Sequence, residues 1–138
     1  MSINISPRQF EKDNFVENFS KLIFRHQIDP SHIILEITES VLSLDINQLV
    51  LKLNQLKDLG VLLSIDDFGT GYSSLEYLFK LPINHIKIDK VFLDQLTTNS
   101  SIQSIVHAII QLSKKLNFLV VAEGVENTLQ EQWLMKNG

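Results

Sequence analysis

The chain has 138 residues, 44% hydrophobic and 20% charged, with a formal net charge of −4, which suits one domain with enough apolar material for a core. An acidic chain without a basic run argues against a nucleic-acid polymer as partner, though not against a small phosphate ligand held through cations. The absence of cysteine excludes disulfides, thiolate zinc sites and cysteine nucleophiles. No run of about 18 apolar residues offers a spanning helix, and no signal-peptide pattern opens the chain. The expectation is a cytoplasmic domain, with any membrane anchor elsewhere in a parent protein.

Strand and helix patterns alternate from end to end. Ser2–Ile5 reads as a short strand broken by Pro7. Phe15, Phe19, Leu22 and Ile23 recur at helical spacing. After Pro30-Ser31, His32–Thr38 is a strand rich in Ile and Leu. Ile46, Leu49, Val50, Leu53 and Leu56 mark an amphipathic helix, closed by Gly60 as its C′ residue. Val61–Asp66 is a strand and Ser73–Lys80 a short helix, with Ser73 or Ser74 placed to cap it. Pro82 ends that segment, and in the strand His85–Asp89 isoleucines alternate with Lys87 and Asp89. Ile102, Ile105, Val106, Ile109 and Leu112 mark a long helix. Phe118–Ala122 is an apolar strand, and Asn127 caps a last helix reaching Lys136. Five β-α units in a row predict a parallel sheet with right-handed crossovers. The hydrophobic pattern alone leaves both a doubly wound sheet and a (β/α)₈ barrel open.

Polar residues at the strand ends carry the chemistry. Asn4, Glu36, Asp66, Lys87 and Glu123 each lie in or at the end of a separate strand, about one β-α unit apart. In a barrel such positions converge on one mouth, whereas in an open sheet they spread along a line. Asp66 and Asp67 are adjacent, and adjacent strand residues point to opposite sides. Both can meet one site only where the strand ends and the backbone turns. Crowded together, Glu36, Asp66, Asp67 and Glu123 would repel one another unless cations neutralised them. All-oxygen ligation suits Mg²⁺ or Mn²⁺ rather than zinc. Asn4 would add a neutral oxygen, and Lys87 an ammonium beside a bound anion or water.

Each residue also has a plainer reading. Asn4 is a turn residue, Glu39 a cap, Lys87 and Asp89 the outer face of an edge strand, and Glu123 to Glu126 an ordinary loop. Glu36 is the exception: between Leu35 and Ile37 an unpaired buried carboxylate is costly, so it requires a partner or a metal. His26, His32, His85 and His107 show no metal spacing and read as structural or surface residues. Gly69-Thr-Gly71 is not a phosphate loop of the GxxxxGK[ST] kind.

Motif by motif, the sequence resembles the EAL family of bacterial cyclic di-GMP phosphodiesterases along its whole length. Asn4-Ile-Ser resembles the family's asparagine segment, and Leu35-Glu-Ile-Thr-Glu-Ser40 its Glu-x-Thr-Glu motif. Asp66-Asp-Phe-Gly-Thr-Gly-Tyr-Ser-Ser-Leu75 matches its most diagnostic loop. Leu81-Pro-Ile-Asn-His-Ile-Lys-Ile-Asp89 and Val121-Ala-Glu-Gly-Val-Glu126 resemble two more signatures. The resemblance implies a modified (β/α)₈ barrel and a site with two Mg²⁺ or Mn²⁺ ions. Carried over by position, Asn4, Glu36, Asp66, Asp67 and Glu123 would be ligands, with Asp66 the bridge. Lys87 would orient the attacking water, Glu39 would hold the loop after Asp67, and Asp89 and Glu126 would support the site. The implied reaction opens cyclic di-GMP to linear pGpG. The implied partners are cyclic di-GMP, a second copy through the loop after Asp67, and sensory or diguanylate cyclase domains in the parent chain.

The family's Glu-Ala-Leu strand and its Gln-Gly-Tyr motif have no counterpart in residues 1–138, and Asn84 and Val91 replace a common Asp and Ser. A complete barrel takes about 250 residues. The expectation is therefore one partial domain over residues 1–138, poorly folded and inactive alone. The alternatives are a non-catalytic cyclic di-GMP receptor, a protein-interaction module or an inactive remnant.

Overall fold

A computed structural model describes residues 1–71 and 78–138. Strands β1 (Ser2–Ile5), β2 (Ile34–Thr38), β3 (Leu62–Phe68), β4 (His85–Ile88) and β5 (Leu119–Ala122) form one parallel sheet. Their order is β1-β2-β3-β4-β5. Each strand thus pairs with its successor and the order never reverses. A doubly wound sheet reverses at its switch point, whereas a barrel advances in one direction. The winding is therefore of the barrel kind, and it settles the choice that hydrophobic pattern left open.

The described helices are α1 (Pro7–Phe10), α2 (Phe15–His26), α3 (Ile46–Asp58), α4 (Lys90–Leu93), α5 (Ser100–Lys115) and α6 (Thr128–Asn137). The period of two divides the sheet into unlike faces. On one face Leu35, Ile37, Leu63, Ile65, Ile86 and Ile88 are fully buried, in one cluster with Leu49, Leu53 and Leu56 of α3 and Val106, Ile109 and Ile110 of α5. Burying each such side chain contributes roughly 1.5–3 kcal/mol. The other face carries the polar residues. Asn4 pairs in register with Glu36, Glu36 with Ser64, and Ser64 with His85, while Lys87 pairs with Val121.

Local chemistry explains most boundaries. Pro7 ends β1 by opening α1 at its first turn, where the missing N–H costs nothing. Ser6 and Gln9 close a reciprocal capping box there. Gly60, at φ +97°, follows α3 as its C′ residue, and Asn127 caps α6. The strand expected from His32 starts later, because Pro30–His32 forms a 3₁₀ turn capped by Asp29. The expected helix Ser73–Lys80 and its cap lie largely outside the described residues. Among those described, no helix is long and apolar enough to cross a membrane.

Candidate active site

Strand β3 departs from regular geometry at the paired aspartates. Ile65 pairs with Ile86 and Phe68 with Ile88, so Asp66 and Asp67 together oppose Lys87. This two-against-one arrangement is a bulge, which re-aims the side chains around it. Asp67 takes φ 55°, a left-handed conformation that Asp tolerates better than most residues. The strand was expected to end at Asp66 and turn; instead it continues through Phe68. The bulge, not a strand end, releases the two carboxylates from opposite faces.

Lys87 is the centre of the site. Its ammonium lies 2.9 Å from Glu36 Oε2, 3.1 Å from Asp66 Oδ1 and 2.6 Å from Glu123 Oε1. Three strands thus deliver carboxylates to the cation of a fourth. The plainer reading of Lys87 as an outer-face residue of an edge strand fails twice. β4 lies between β3 and β5, and the Lys87 side chain is only 9% exposed. Glu36 has the partner its burial required. Burial alone would pull the Lys87 pKa down, but hydrogen bonds to Glu123, Glu36 and Asp66 and the charge of Asp66 outweigh it and hold the ammonium above the ordinary lysine range.

One ammonium does not balance the acids around it. Burial pushes the Asp67 carboxyl above its usual range, and the charge of Asp66, a hydrogen bond shared with Asp89, and the charges of Asp89 and Glu123 push it further. That surplus of negative charge, carried entirely on oxygens, is the donor chemistry of a hard divalent cation. The donor types match such an ion, but among the described residues no group of three acidic or imidazole side chains is placed to hold one. Lys87 holds the point where Glu36, Asp66 and Glu123 meet.

The other candidate residues fall at graded distances from this centre. Asn4 is exposed, level with Glu36 on the neighbouring strand. Asp89 caps α4, accepting from the Val91 N–H at 2.7 Å, and reaches Asp67. Glu39 is buried behind the loop after Asp67, where one oxygen accepts from the N–H groups of Gly69 at 2.9 Å and Gly71 at 3.0 Å. A methyl on Gly71 would come within 3.1 Å of that carboxyl group. Glu126 stands apart from the cluster and pairs with Lys90 at 2.6 Å. Among the histidines, His26, His32 and His107 are exposed and His85 is half-buried. Two residues of the supporting structure, Lys90 and Gln130, went unnoticed in the sequence. The spacing Asn127-x-x-Gln130 of a capping box was the available signal for Gln130.

Comparison with known proteins agrees with this geometry. The sequence profile of the EAL domain matches residues 1–138. The bifunctional diguanylate cyclase/cyclic di-GMP phosphodiesterase MucR of Pseudomonas aeruginosa is 44% identical over 138 residues, covering 100% of this chain and 20% of MucR. The solved MucR phosphodiesterase in complex with cyclic di-GMP superposes with a TM-score of 0.94 at 44% identity, over 99% of this chain and 56% of that one. BlrP1 of Klebsiella pneumoniae, solved with manganese and cyclic di-GMP, gives a TM-score of 0.88 at 29% identity, over 99% of this chain and 35% of that one. The chain therefore spans about a fifth of the curated relative and little more than half of the solved domain. Matched along its whole length in profile and in fold, the chain belongs to the EAL domain family.

Proposed function

We propose that this domain, within its full-length parent, is a metal-dependent phosphodiesterase that opens cyclic di-GMP to linear pGpG. The observation that carries the reading is the convergence of Glu36, Asp66 and Glu123 on Lys87, beside an Asp67 burdened with excess negative charge. Glu36, Asp66, Asp67 and Glu123, with Asn4 as a neutral oxygen, would hold two Mg²⁺ or Mn²⁺ ions. Bound there, the cations would lower the pKa of a water and draw charge from the phosphodiester.

The chain's own residues supply the rest. Lys87 stays protonated, so it serves as a hydrogen-bond donor and not as a base. It orients the attacking water and offsets phosphate charge. The β3 bulge keeps both aspartates on the same side. Glu39 fixes the loop after Asp67 through two backbone bonds, and Asp89 restrains Asp67. We assign Glu126 a supporting role through Lys90.

The relative's bifunctional name supports a parent in which this domain adjoins a diguanylate cyclase domain; a sensory domain in the parent is part of the same proposal. A homodimer through the loop after Asp67 is the accompanying proposal for assembly. We place the domain in the cytoplasm, with any anchor elsewhere in the parent.

The test is hydrolysis of cyclic di-GMP by the full-length parent with Mn²⁺, read as pGpG by chromatography, beside a Glu36→Ala sample. Turnover is expected, falling by more than about 100-fold in the variant. Tight binding without turnover would replace the enzyme by a receptor.

A further inference from the structure

The loop Glu123 to Asn127 carries one of the three carboxylates on Lys87, and the buried side chain of Gln130 ties it to a neighbouring helix. Gln130, on the first turn of α6, is 4% exposed. Its Oε1 accepts from the Asn127 N–H at 3.2 Å, completing a capping box with the Gln130 N–H on Asn127 Oδ1 at 3.0 Å, and also from the Glu126 N–H at 2.8 Å. Its Nε2 does something a capping box does not require: it donates 2.9 Å across to the carbonyl of Leu93, in α4. Helix α4 begins directly after Asp89, three residues beyond Lys87. The Gln130 carboxamide thus joins the segment following Glu123 to the segment following Lys87.

A second contact closes the same gap from the solvent side. Lys90 pairs with Glu126, and its methylene stem lies so close to Gly124 that an added methyl would meet it at 2.8 Å. Gly124 has φ +72°, so this close approach and this backbone turn both favour glycine. At the near end of the loop the Glu123 N–H donates to Ile88 at 3.1 Å. Glu123 is held between these points, although its own side chain is 40% exposed.

We propose that Gln130 is a positioning residue: it sets the placement of the Glu123 carboxylate by clamping its loop to α4. As a statement about phosphodiester hydrolysis this rests on the function proposed above. As a statement about Glu123 it does not. Removing outer partners of this kind costs about 10–100-fold in metal affinity or activity.

The experiment uses Gln130→Ala, and Gln130→Met to preserve volume should the smaller side chain fail to fold. Amide hydrogen exchange is measured without metal, and Mn²⁺ binding by calorimetry and kcat are measured beside it. The expected result is exchange at the Glu123 amide faster by about tenfold or more, with β2 amides unchanged, and a loss of about 10–100-fold in Mn²⁺ affinity or kcat. Unchanged exchange at Glu123, or acceleration shared equally by β2, overturns the proposal and leaves Gln130 an ordinary helix cap. A parent protein that neither binds Mn²⁺ nor turns over sinks the proposed function, while exchange at Glu123 still decides the clamp.

Discussion

Asp67 combines a bulged, left-handed backbone with a carboxyl that burial and its acidic neighbours push toward protonation. A carboxyl whose folded pKa is raised binds its proton more tightly in the folded chain than in the unfolded one. Stability then falls as pH rises from the unfolded value near ~3.9 through the folded one, and the full penalty is present above both. Asn removes the charge and accepts the same backbone. Asp67→Asn is therefore expected to raise Tm by about 1–3 °C near neutral pH in EDTA. The gain should fade as pH is lowered toward about 4 and be absent below it. Calorimetric scans across that range check it, and a gain that grows toward acid would contradict the account. In this residue the sequence was legible only in part: the Asp-Asp pair announced a site, but the mechanism that lets both acids share it is a register shift between two strands.

At the scale of elements, the end of β3 and the loop after it are braced by groups distant in sequence. Gly69 has φ +95°, and an added methyl would stand 3.1 Å from the Phe92 ring of α4. Its N–H is one of the two that bond Glu39. Strain and crowding act together, so Gly69→Ala is expected to cost about 1–3 kcal/mol. Urea unfolding checks the cost, and a neutral result would show that the loop refits around alanine. Other elements depend on ties that periodicity does not report. The Lys52 ammonium of α3 donates to the carbonyls of Phe10, Glu11 and Lys12 at 2.9, 3.0 and 3.1 Å, completing the end of α1. Neither α1 nor α4 showed in the hydrophobic pattern, because four residues are too few to establish a helical period. Each is instead marked by a cap, Ser6 before Pro7 and Asp89 before Lys90.

Across the whole molecule, β1 and β5 form the two edges of the sheet. β5 shows Leu119, 66% exposed, and the partly exposed Val121, both on the face that carries Lys87. An open edge with apolar side chains is a template for pairing. The 138 residues on their own are expected to self-associate, with Leu119→Lys shifting them toward monomer. Light scattering over a concentration series reads this; a monomer unaffected by the substitution would show that the edge is protected.

The sequence by itself determined the alternation of strand and helix, the all-oxygen character of the site and the family, because these reside in local period and residue type. Four of the five strand-end residues it singled out, Glu36, Asp66, Lys87 and Glu123, make direct contact, while Asn4 stands level with Glu36 on the next strand. Only the tertiary structure decided the bulge that aims Asp66 and Asp67, the seat of Lys87 among three carboxylates and the pairing of Glu126 with Lys90. Each of these depends on which strands become neighbours and in what register, and pairings between residues far apart in the chain leave no trace in local periodicity.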